Sequence, residues 1–188
     1  MKLWQGRRGV LTGAVGLVLA AALAAGLYVF QPWKLWQDET VSEALPGATA
    51  GAAPAAKGSA PAPGTPAPAP GPRSVAEGSF ISHEHETRGK ARIVRLADGS
   101  HVLRLEGLDT SNGPDLRVWL SDAPVKEGVA GWRVFDDGRH VSLGKLKGNK
   151  GDQNYEIPAN VDPASYGSVT IWCDRFDVSF GAAALAGT

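Results

Sequence analysis

From Val10 to Phe30 the chain runs for 21 residues without a charged side chain. At about 1.5 Å per helical residue such a stretch spans ~30 Å, the thickness of a hydrocarbon core, so a transmembrane helix is expected over residues 10–30. Trp4, Tyr28, Trp33 and Trp36 flank it where amphipathic rings favour the interface, and Pro32 and the charges from Lys34 onward end the apolar run. Lys2, Arg7 and Arg8 precede the run and Lys34 alone follows it closely. That bias keeps residues 1–9 in the cytoplasm and exports everything after Phe30 as a single-pass membrane protein. A cleaved signal peptide is the rival reading, with Ala22-Leu23-Ala24 as its small-residue site, but the apolar run continues to Phe30, further than such a segment needs. Both readings place the rest of the chain outside the cytoplasm.

After a juxtamembrane segment, residues 31–45, composition changes again. The 27 residues from Pro46 to Pro72 comprise 10 Ala, 8 Pro and 5 Gly, with no aromatic and no large aliphatic side chain. Nothing here can build a core. Alternating Pro and Ala from Ala60 favours extended, polyproline-like conformations, so residues 46–73 are expected to act as a semi-stiff spacer between bilayer and domain. The remaining 115 residues, 74–188, suffice for one domain with a modest core and carry a formal charge of −3. A mildly acidic exported domain argues against nucleic acid or anionic lipid as its main partner. The expected partners are the bilayer, through the helix, and a redox partner or a component of the cell envelope.

Short apolar alternations mark strands in that domain. Lys90–Ala97 and His101–Glu106 flank Asp98-Gly99, a hairpin signature. Leu116–Leu120, Asn154–Ile157 and Ser168–Cys173 read as further strands, each bounded by Gly, Pro, Asn or Asp clusters, and no long helical periodicity intervenes. The expectation is an all-β domain, an antiparallel sandwich or barrel.

Cys173 is the only cysteine, so no internal disulfide forms. Val169, Ile171 and Cys173 share one strand face, whereas Phe176, Val178 and Phe180 have the opposite parity. One continuous strand cannot bury both sets against one core, so a bulge or bend is expected near Asp174-Arg175, with Cys173 beside it. Two readings of the thiol stand side by side: a small buried core residue, or a thiolate kept for chemistry. Arg175 favours the thiolate and Asp174 disfavours it, so neighbouring charge does not choose. Trp172, of opposite parity, is either an aromatic that stacks on a ligand or a packing residue.

The order of motifs resembles the DM-thirteen domain, an electron-transfer module also found in Skeletor-type proteins. The runs that carry the resemblance are Gly78-Ser-Phe80 with His83, Asp98-Gly99 before Leu103-Arg-Leu-Glu106, and Asn112-Gly-Pro-Asp-Leu116 leading into Trp119-Leu-Ser121. They continue with Leu143–Asn149, Gly151–Tyr155, Ile171-Trp-Cys173 and Phe176 to Phe180-Gly-Ala-Ala. The resemblance implies an all-β fold and a redox role resting on one cysteine, which in this chain is Cys173. It carries no cofactor with it.

His83 and His85 flank Glu84. On an extended strand that spacing puts both imidazoles on one face, where they are candidate ligands for Zn, Cu or haem iron beside the plainer reading of an edge-strand pair. His101 and His140 are single. Asp109, Asn112 and Asp115, and Asn149, Asp152 and Asn154, supply oxygens in two loops without the spacing of a calcium loop, so turn chemistry is the expectation. Gly-x-Ser-x-Gly, His-Glu-x-x-His and Cys-x-x-Cys are all missing, which argues against an ordinary hydrolase or dithiol oxidoreductase. With one thiol, disulfide chemistry needs a second molecule.

Overall fold

The computed structural model describes residues 2–47 and 71–188; most of the Ala/Pro/Gly run expected as a spacer lies outside them. Helix α1 spans Lys2–Phe30. The stretch Gly13–Lys34 is long and apolar enough to cross a membrane, as the run of uncharged residues implies, and none of its most apolar part is buried. The helix stops where Gln31 turns left-handed at φ 42° and its N–H closes on the Leu27 carbonyl at 2.9 Å. Pro32 follows and cannot continue the ladder, so the chain passes into a short 3-10 turn, Pro32–Trp36.

Among the described residues ten strands follow in chain order: β1 Thr40–Ser42, β2 Arg73–Ser82, β3 Arg88–Arg95, β4 His101–Asp109, β5 Leu116–Ser121, β6 His140–Lys145, β7 Lys150–Ile157, β8 Ser168–Cys173, β9 Val178–Ala184 and β10 Ala186–Gly187. They form one sheet in the order β1-β7-β4-β3-β2-β9-β8-β5-β6, with β10 paired on β2. All pairs are antiparallel except β1 with β7, so the sheet is mixed rather than wholly antiparallel. It curls into a half-barrel. Strand β2 serves both halves, pairing β3 through Ser79 and β9 from Phe80. The handover falls at Gly78, where a Cβ would lie 2.0 Å from the Ala184 carbonyl oxygen, so only glycine lets the strands approach there.

The concave face holds the main core. Ile93, Leu103, Leu105, Leu108, Val118, Leu120, Val169, Ile171, Cys173 and Phe180 fill it. A second, smaller cluster of Trp119, Ala123, Phe135, Trp172 and Ala182 covers the outer face of β5, β8 and β9. Strand β8 is therefore buried on both sides, which is why all six of its residues are shielded and why Ser-Val-Thr-Ile-Trp-Cys does not alternate cleanly.

Strand β1 draws part of the juxtamembrane segment into the sheet. Thr40, Val41 and Ser42 pair with Lys150, Gly151 and Asp152. Glu43 anchors its end: the Lys147 Nζ donates to its carboxylate at 2.8 Å and the Asn154 N–H at 2.7 Å. Those partners, Lys147 first, hold the Glu43 carboxyl below its ordinary range. The near-buried Arg104 adds a bond from Nη1 to the Glu43 carbonyl at 3.0 Å.

Candidate functional site at the Cys173 hairpin

Strands β8 and β9 are joined by Asp174-Arg175-Phe176-Asp177, a four-residue reversal that starts as a β-turn: the Phe176 N–H donates to the Cys173 carbonyl at 3.2 Å. Asp177 closes it in the left-handed region at φ 50°. The break expected near Asp174-Arg175 is thus a complete hairpin turn. Because the chain reverses there, Cys173 faces Val178 across the ladder, and both parity sets bury against the same core. An additional bulge, between Ile171 and Trp172, leaves Phe180 as the extra residue of β9.

Cys173 is the last residue of its strand and is fully buried. Burial pushes its thiol pKa up, while the backbone amides of Arg175, Phe176 and Asp115 pull it down, and the Glu84 carboxylate adds a further push upward. Burial is the largest of these influences, so the neutral thiol is favoured in the fold.

Three loops build the pole around the sulfur. The hairpin turn is one; its Asp174 N–H donates to the Asp115 carbonyl at 2.9 Å and its carboxylate pairs with Arg117 at 3.0 Å. The Asn112–Asp115 loop is the second: Asn112 Oδ1 accepts from the Gly113 N–H at 2.8 Å, and Asp115 Oδ1 is buried with no hydrogen-bond partner among the described residues. The third, His83–Thr87, bends across β9, with the His83, Glu84 and His85 N–H groups donating to the carbonyls of Phe180, Ser179 and Phe180. Arg133, from the long segment before β6, ties the turn down by donating from Nη1 to the Phe176 and Asp177 carbonyls at 3.0 and 3.1 Å.

The sequence-derived candidates separate in space. Trp172 points away from Cys173 into the outer cluster, stacked on Trp119 with ring centroids 5.0 Å apart and meeting Phe135 edge-on at 6.5 Å. Strand β2 ends at Ser82, so the argument that put His83 and His85 on one face does not apply. His83 lies against Phe135, with Nδ1 2.7 Å from Ser179 Oγ and Nε2 3.0 Å from the Lys126 carbonyl. Both its nitrogens are engaged. His85 instead lies over Phe180 at 3.9 Å, at the Cys173 end of the main core. Burial lowers the pKa of both; the hydrogen bond to the Lys126 carbonyl opposes it at His83 and Glu84 opposes it at His85. His140 stacks on Trp119 at 4.3 Å, and His101 opens β4.

Among the described residues, no three of His, Cys, Asp and Glu converge as metal ligands would. The two oxygen-rich loops do structural work. Asp109 pairs with Arg88, Asp152 with Arg104, and Asn149 bonds Asp38 and the Thr110 carbonyl. Arg133 and Phe176 escaped sequence reasoning as parts of the site, since no spacing signals a contact made across 43 residues by an irregular loop.

The family model described as Electron transfer DM13 matches residues 79–185, from the middle of β2 to the end of β9. No curated protein and no solved structure matches the chain. The matched span takes in Cys173, the hairpin turn and all three loops around them, and the chain belongs to the DM13 family, whose description is electron transfer.

Proposed function

We propose that this protein takes part in electron transfer on the outer face of a membrane, with Cys173 as the sulfur at its redox centre. The observation that carries the reading is the match to the electron-transfer family over a span that contains the sole thiol, at the end of a strand and under a four-residue turn. Opening the turn gives access without breaking the sheet, because the β8–β9 ladder ends at Cys173 and Val178. His85 lies over Phe180 of the main core, whereas Trp172 and His83 pack with Phe135 on the other face. Lys2, Arg7 and Arg8, at the N-terminal end of α1, favour a cytoplasmic N-terminus and an exported domain.

A second reading rests on a specific observation as well. Cys173 is completely shielded and its thiol is shifted upward by burial, as befits a core residue in a non-enzymatic envelope-binding module. One experiment separates the two. The full chain is purified from membranes, its absorbance spectrum and metal content are recorded, and its thiol is titrated before and after unfolding. A chromophore, a bound metal or a thiol that reacts in the folded state supports the redox reading; a spectroscopically silent, metal-free protein whose thiol reacts only when unfolded supports the other.

A further inference from the structure

The route from helix to sheet is short and fixed. Nine residues separate the end of α1 from β1, and five of them form the Pro32–Trp36 turn. Gln31 joins the helix to that turn, and the segment Gln37–Glu39, ~10 Å at full extension, completes the link. It is bound along its whole course: Asn112 Nδ2 donates to the Gln37 carbonyl at 3.2 Å, Asp38 pairs with Lys150 Nζ at 2.7 Å, and the Glu39 N–H donates to Asn149 Oδ1 at 2.7 Å. The helix end itself touches the Cys173 hairpin. Phe30 stacks on Phe176 with centroids 5.7 Å apart, and the Arg175 guanidinium lies over the Tyr28 ring at 5.9 Å. Lys34 lines one cleft with Asn112, Asp115 and Lys145.

The described residues on either side of the Ala/Pro/Gly run lie at the other pole. Pro72 lies against Gly47, and Pro46 and Gly71 both border the Leu96–Gly99 stretch between β3 and β4, the end of the sheet opposite Cys173. The connection from α1 to β1 runs through residues 31–39 and ends before that run begins.

From these contacts we infer that the Cys173 pole faces the bilayer and that its partner is the lipid headgroup surface, which Tyr28, Phe30, Trp33 and Trp36 engage. These four rings remain 71%, 62%, 44% and 80% exposed where the helix meets the domain, the position at which aromatic side chains seat in the interface. Strands of six to nine residues then hold the opposite pole ~20–30 Å further out. A molecule that reaches the Cys173 turn approaches at headgroup level. The inference rests on the membrane-anchored part of the reading above and not on its redox part.

The test uses the full chain in phosphatidylcholine nanodiscs that contain a headgroup-nitroxide lipid. Lys145→Cys at the near pole, Ala159→Cys at the far pole and Val18→Cys in the helix are each labelled with a fluorophore. Cys173 is kept in every variant, and the unsubstituted chain measures the label that it takes up. Quenching severalfold stronger at position 145 than at 159, unchanged when residues 48–70 are deleted, is the expected result. Equal quenching at the two poles, a far pole that becomes quenched after the deletion, or a Val18 label quenched as strongly as position 145, as a helix lying in the headgroup layer would give, overturns the inference. Because the readout does not involve thiol chemistry, a failed redox assay leaves this result standing, and the reverse.

Discussion

Arg133 donates one Nη1 to the carbonyls of Phe176 and Asp177 and so fastens the turn that covers Cys173. The arginine is exposed, and the bonds it makes close a lid of four residues rather than a core. Each such bond contributes ~1 kcal/mol to a local equilibrium. Arg133→Ala should therefore leave global stability within about 1 kcal/mol of the parent and raise the rate of native-state thiol modification severalfold. A thiol-specific chromogenic reagent measures the rate, and urea unfolding measures the stability.

Alkaline pH should weaken the fold partly through the same residue. The folded-state pKa of Cys173 is raised by burial, so its contribution is fully present below the unfolded thiol value and is lost as pH rises through the folded one. Tyr155, raised by burial in the same way, adds to the loss at still higher pH. Urea midpoints should fall as pH climbs above the ordinary thiol range, and Cys173→Ala should flatten the first part of that fall.

On the acid side the sign reverses. His83 and His85 have depressed pKa values, so the stability that they confer is present above the ordinary imidazole value and is lost as pH falls through their folded values. His83→Gln should reduce the loss of stability between neutral pH and pH ~5, the window in which an ordinary imidazole gains its proton. Chemical denaturation at the two pH values provides the comparison.

Gly151 stands at φ +95°, and a Cβ there would fall 2.0 Å from the Val41 carbonyl oxygen. Gly151→Ala should strip β1 from β7 at a cost of roughly 1–3 kcal/mol, the range for a strained backbone position. Hydrogen exchange would show faster exchange of the Lys150 amide, which donates to Glu39, while the β4 amides keep their protection.

How much of this was legible beforehand depended on the range of the interaction. The Asp98-Gly99 hairpin, the other expected strands and the break after Cys173 are local matters of turn residues and period-two parity, and the structure places strands and a reversal there. Strand β1 left no local trace: three residues, Thr40–Ser42, find their partner about 110 positions on, and only Gly151 hints that another backbone passes close by. The pairing of His83 with His85 failed because strand geometry was assumed past Ser82, where the chain bends to bond Phe180. Trp172 parted from Cys173 because β8 is covered on both faces by separate clusters, which hydrophobicity alone does not reveal.

The most direct test of the account is a redox titration of the full chain, wild type against Cys173→Ala, with circular dichroism to confirm that both are folded. The account predicts a reversible redox transition in the wild type that Cys173→Ala abolishes. A transition of unchanged amplitude and potential in Cys173→Ala, or none in the wild type, would contradict it.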